Sequence, residues 1–188
     1  VPHLPESLLP QALNVTKQIQ SEPARAYALS ALVPHLPELA TEALDITKQI
    51  QDEYNRASAL SALVPRLPEL VTEALDITKQ IQDESARASA LRALVPHLPE
   101  SLLPQALNVT GQIQSEYVRA SALRALVPHL PESLLPQALD VTRQIQSESA
   151  HASALSALVP HLPELVTEAL EVTRQIQDES VRASALSA

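Results

Sequence analysis

The chain has 188 residues, 45% of them apolar, with no Cys, Met, Trp or Phe, one Gly, three Tyr and 16 Pro, and a formal net charge of −9. That apolar share is enough to bury a core, but without large aromatics the core has to be small aliphatic side chains packed closely. The absence of Cys excludes disulfide frameworks, thiolate metal sites and thiol nucleophiles, the acidic balance opposes a phosphate backbone, and no apolar run approaches the roughly 18 residues that span a bilayer.

The pentapeptide Val-Pro-His-Leu-Pro begins at Val1, Val33, Val95, Val127 and Val159, and Val-Pro-Arg-Leu-Pro begins at Val64. These connectors divide the chain into units 1–32, 33–63, 64–94, 95–126, 127–158 and 159–188. A period of this length marks a repeat architecture, in which each unit has too little interior to fold alone and stacking makes one continuous core. The expected fold is therefore all-α, a single α-solenoid array of six tandem helix-turn-helix units of 31 or 32 residues.

In the first unit, Ser7 and Ser21 stand where a serine oxygen would accept from the free N–H groups of a helical first turn. Pro10 then falls at the third helical position, or at the first if the helix begins later, and its missing donor does no harm at either. Pro23 falls in the first turn of the second helix, and Pro104 and Pro136 follow Ser101 and Ser133 as Pro10 follows Ser7. In the second unit Leu39, Ala43, Ile46 and Ile50 recur at helical spacing and predict a first helix. Ala57, Leu60, Leu63 and Val64 form the stripe of a second, with Asp52 as its N-cap and Glu53 near the positive end of its dipole. Pro65 ends that helix and Pro68 restarts the chain. The second, third and sixth units spell the start of the first helix Pro-Glu-Leu-x-Thr-Glu, one residue shorter than the others. In the fourth unit Gly111 replaces a Lys or Arg inside the first helix, at a cost of up to about 1 kcal/mol.

In the sixth unit, Asp178-Glu179-Ser180-Val181-Arg182 followed by Ala185-Leu186 resembles the start of the second helix in short HEAT-like repeats. The pattern is also similar to the helical arrays of large multidomain bacterial signalling proteins. That resemblance implies a sensor or scaffold arm.

Asp52/Arg56, Asp83/Arg87 and Asp178/Arg182 fall at i, i+4, and Arg25 and Arg119 occupy the same place after Ser21 and Ser115. One reading is a set of helix-stabilising pairs worth roughly 0.2–0.5 kcal/mol each. The sharper reading is a ladder of arginines bonding acidic groups or carbonyls of adjacent units, interrupted where His151 takes the fifth place. The connector histidines His3, His35, His97, His129 and His161, with Arg66 in the same place in the third unit, are expected to cap or pack. Helices lie about 8–10 Å apart, too far for neighbouring histidines to share a metal at bond lengths near 2 Å. Asn14-Val15-Thr16 and Asn108-Val109-Thr110 match the N-glycosylation pattern inside predicted helices, where a chance match is the simpler account. With no nucleophile elbow and no phosphate-binding glycine loop, no catalytic, cofactor or metal site is expected.

The units differ chiefly at the start of the second helix (Pro23, Tyr54, Ser85, Tyr117, Ser149 and Ser180, each with its neighbour) and at Tyr27, Arg92 and Arg124. The rest is nearly copied, which favours a repetitive partner, a spacer role or self-assembly. Two functions follow. The first is a non-enzymatic scaffold for protein–protein interaction, with a concave helix face as docking surface. The second is a fibre built by head-to-tail stacking, since the last residues, Ser184 to Ala188, run in register with another Val-Pro-His-Leu-Pro and a heterologous contact of that kind propagates. The missing initiator Met and the matching register also suit a window cut from a longer array. Neither membrane nor nucleic acid is an expected partner. A soluble chain is expected, the cytoplasm being favoured over an extracellular filament.

Overall fold

The computed structural model describes residues 5–32, 40–65, 68–177, 179, 182 and 183. The protein is all-α, and no strand occurs among the described residues. Two compact units, Val1–Leu98 and Pro99–Ala188, divide it within the connector of the fourth repeat.

The first compact unit contains α1 (Leu9–Gln18), α2 (Glu22–Leu32), α3 (Ala40–Lys48), α4 (Glu53–Leu63), α5 (Val71–Lys79) and α6 (Glu84–Leu94). Each odd helix packs on the even helix that follows it, and α2, α4 and α6 pack in a row. The second contains α7 (Leu103–Gly111), α8 (Glu116–Leu126), α9 (Leu135–Arg143), α10 (Glu148–Leu158) and α11 (Val166–Gln175). There α7 packs on α8, α9 on α10, α8 on α10 and α10 on α11. The twelfth helix expected from the repeat lies largely outside the described residues.

Small residues make the row of second helices. Ala57 and Ala59 of α4 and Ala86, Ala88 and Ala90 of α6 are buried, as are Leu60, Leu63, Leu91 and Leu94, and these two helices pack on each other and on α3 and α5. Ala43, Ile46 and Ile50 are buried as their spacing predicts, whereas Leu39 lies outside the described residues. One polar residue recurs in this core. Thr16, Thr47, Thr78, Thr110, Thr142 and Thr173 are buried, and each hydroxyl donates to the carbonyl four residues earlier at 2.7–3.0 Å. The bond satisfies the oxygen inside its own helix, so burial leaves no polar group stranded. Thr16 and Thr110 are the threonines of the two glycosylation-like triplets, and in both the hydroxyl is committed to this bond.

Two local expectations need correction. Ser7, Ser101 and Ser133 do not cap the first helices. The chain enters through 3-10 turns at Glu6–Leu8, Glu100–Leu102 and Glu132–Leu134, and Pro10, Pro104 and Pro136 stand at the second α-helical position. The carbonyls of Pro5, Pro99 and Pro131 accept the N–H groups of Leu8, Leu102 and Leu134 at 2.9 Å, so backbone alone closes each entry turn. Gly111, in turn, is the last residue of α7 rather than an interior one, and its φ is negative. A methyl group there would lie 3.4 Å from Cγ2 of Val141, an ordinary close contact, and the helix loses little at its final residue.

Candidate functional site

The chemistry of this chain is concentrated where one repeat meets the next. Each first helix ends in a short segment with an isoleucine, buried at Ile50, Ile81, Ile113, Ile145 and Ile176 and half-buried at Ile19. The second helix then starts at an extended cap residue. Asp52 accepts from the Asn55 N–H and Asp83 from the Ala86 N–H, both at 2.8 Å. The next residue is always glutamate, and at Glu22, Glu53 and Glu116 its carboxylate reaches into the following repeat. Glu22 accepts the N–H groups of Gln51 (2.9 Å) and Asp52 (2.6 Å). Glu53 accepts those of Gln82 and Asp83, and Glu116 those of Gln146 (2.8 Å) and Ser147 (2.7 Å). These paired backbone donors hold the three carboxyls below the usual glutamate range.

Three residues on, an arginine closes the same joint from its own side. Arg56, Arg87 and Arg119 donate through Nη1 to the carbonyls of Ile50, Ile81 and Ile113 at 2.8–2.9 Å, and Arg25 and Arg182 to those of Ile19 and Ile176 at 3.4 and 3.2 Å. Through Nη2, Arg25 and Arg119 also reach the carbonyls of Gln49 and Gln144 in the following repeat at 3.5 and 3.3 Å. The described bonds of Arg56 and Arg87 stay within their own repeat.

The ion pairs are not the i, i+4 pairs of the sequence reading. The carboxylates of Asp52 and Asp83 are used as caps, and Arg56 and Arg87 pair instead with Glu53 and Glu84, three residues before them, at 3.4 and 3.8 Å. Arg25, Arg119 and Arg182 do the same with Glu22, Glu116 and Glu179. Asp178 lies outside the described residues. His151 occupies the arginine's place in the fifth repeat, and burial lowers its pKa, with Glu168 raising it and Arg143 lowering it further.

Sequence reasoning missed the glutamate's forward reach, and it missed a second rung on the first helices. Lys17 pairs with Glu42, Lys48 with Glu73, and Arg143 with Glu168 at 3.2 Å, each 25 residues apart. A signal for it was present. Gln137 stands in the fifth repeat where the second, third and sixth have these glutamates, and the residue that would face it from the fourth is the uncharged Gly111.

The second helices expose one further stripe, at their second, sixth and ninth residues, which lie at i, i+4 and i+7. Serine fills these places in α2, α4, α6, α8 and α10 except at Pro23, Tyr27, Tyr54, Arg92, Tyr117 and Arg124. The three tyrosines are 79%, 57% and 65% exposed, and both arginines are exposed. Tyr117 Oη bonds Ser149 Oγ of the next second helix at 2.9 Å, and hydrogen bonds with Ser147 and Ser149 lower its pKa. Arg124 Nη1 lies 3.5 Å from Ser153 Oγ of that same helix.

His97, His129 and His161 sit on the connectors, half-buried or exposed, while His3, His35 and Arg66 lie outside the described residues. Among the described residues no group of three or more His, Asp or Glu side chains is placed to hold a metal ion, and no helix is long and apolar enough to cross a membrane. Comparison with family models, curated proteins and solved structures finds no match for this chain.

Proposed function

We propose that this chain is a non-enzymatic helical-repeat scaffold, an α-solenoid of six units resembling short HEAT-like repeats, whose second helices present a docking face for a protein partner. One observation carries the reading. Joint residues are nearly copied from repeat to repeat, whereas the large substitutions fall on one exposed stripe set apart from the glutamates and arginines of the joints. Tyr117 and Arg124 bond serines of the next second helix, but Tyr27, Tyr54 and Arg92 stand exposed where serine serves in other repeats, which structural constraint alone does not call for. The test is affinity capture on the immobilised chain: one partner in fixed stoichiometry supports the scaffold, and its absence counts against it.

A second reading, end-to-end association, is favoured by the recurrence of one joint, the glutamate of one second helix on an N–H pair of the following repeat, at Glu22, Glu53 and Glu116. Sedimentation of the 188-residue chain over a wide concentration range decides whether a second molecule supplies such a joint. Mass growing with concentration supports stacking, and a monodisperse monomer throughout rules it out.

A further inference from the structure

We propose that His151 makes the joint between the fifth and sixth repeats open in mild acid: when its imidazole takes up a proton, α11 comes away from α10, while the joints closed by arginine hold. The device lies within the second compact unit and is independent of what the chain binds.

His151 stands where the other repeats have Arg25, Arg56, Arg87, Arg119 and Arg182. Each arginine brings a permanent charge into its joint and meets it with a glutamate three residues earlier and with an isoleucine carbonyl. Imidazole is shorter, and its charge is lost or gained near neutrality. Nε2 of His151 is buried and has no hydrogen-bond partner among the described residues. In the imidazolium both ring nitrogens are donors, so protonation would leave a charged N–H buried with nothing to receive it.

The charges around the ring are already committed. From α8, which packs on α10, Glu116 and Arg119 are spent on the backbone of Gln144, Gln146 and Ser147, and Arg124 lies against Ser153. From α9 comes Arg143 and from α11 Glu168, and these two are paired, Nε to Oε1 at 3.5 Å and Nη2 to Oε2 at 3.2 Å. Asp140 of α9, Glu148 of α10, Glu171 and Arg174 of α11, and His129 and His161 of the connectors are exposed. A protonated His151 can take Glu168 only by undoing the pair that ties α9 to α11. Its other recourse is water admitted between α10 and α11. Both loosen the hold on α11.

The direction of the response follows from the same surroundings. Burial lowers the pKa of His151 from 6.5 and outweighs Glu168, which raises it, while Arg143 lowers it further. The open joint therefore binds the proton first, so closure is complete above pH 6.5 and weakens as pH falls below it. The joint carboxyls of Glu22, Glu53 and Glu116 titrate below 4.5, which leaves a window of pH in which those joints stay intact.

The experiment is hydrogen exchange of the full chain at about pH 7.5 and about pH 5, read by mass spectrometry as protection factors for α11 with α7 as internal reference. At the lower pH α11 is expected to lose protection at least about threefold relative to α7. His151→Gln, which is neutral at both pH values, and His151→Arg are each expected to abolish the loss, whereas His161→Asn keeps it. Protection of α11 that holds or rises in acid, an equal loss in both helices, a loss that survives either substitution at residue 151, or one that disappears with His161→Asn would overturn the proposal.

Discussion

One glutamate supplies the paired backbone acceptor at the joint between repeats. The carboxylate of Glu53 closes on two N–H groups of the following repeat and stands beside Arg56, so Glu53→Gln keeps the shape but gives up the charge. Charge-assisted bonds are roughly twice as strong as neutral ones, and the expected loss is about 1–2 kcal/mol, read from denaturant unfolding. The same groups set a pH dependence. The carboxyls of Glu22, Glu53 and Glu116 titrate below their ordinary value of 4.5, so the unfolded chain takes up protons first as pH falls. The joints' contribution is complete above pH 4.5 and is lost as pH drops through the lowered values, so stability should decline steeply with acid there, with only His151 adding a slope between pH 4.5 and neutrality. His151, with its pKa lowered from 6.5, adds a loss of the same sign beginning below that pH. His151→Arg would restore the side chain that in the five other repeats reaches an isoleucine carbonyl at 2.8–3.4 Å, here that of Ile145. It should stabilise the chain by about 1 kcal/mol and remove the shallow loss below pH 6.5, both readable from thermal melts at several pH values.

At the scale of the helix, close packing of small residues is the decisive feature. Leu60→Ala removes a fully buried side chain where α3 and α4 meet, and the expected cost is about 2–5 kcal/mol by chemical denaturation. Much of this level was legible in the sequence. The spacing of Ala43, Ile46 and Ile50 and of Ala57, Leu60 and Leu63 located the buried stripes, and Asp52 announced a helix start, because helical periodicity and cap chemistry are local. Three things were not legible, each for a physical reason. The 3-10 entry at Pro5, Pro99 and Pro131 depends on a carbonyl acceptor, which every residue has and no sequence pattern marks. The buried threonines read as polar because their donors are satisfied by carbonyls of the same helix. The reach of Glu53 to Gln82 and Asp83 crosses about 30 residues, whereas helix-pair rules look only three or four residues ahead and so assigned Asp52 to Arg56.

For the whole molecule, the repeated joint makes stability a property of neighbours. Deleting residues 33–63 would place Gln82 and Asp83 where Gln51 and Asp52 now face Glu22, and Glu73 where Glu42 now faces Lys17. The shortened chain is expected to stay helical, with unchanged ellipticity per residue and a melting temperature only several degrees lower. Loss of cooperative unfolding would show that the repeats are not interchangeable. The scaffold account divides labour between repeated joints and a variable stripe, and the stripe can be erased without touching the glutamates and arginines of the joints. The most direct test is therefore partner capture by the chain in which Tyr27, Tyr54, Tyr117, Arg92 and Arg124 are all replaced by serine, the residue that fills most of the stripe already. The account predicts an unchanged thermal unfolding curve and loss of the stoichiometric partner, whereas undiminished capture by this chain would contradict it.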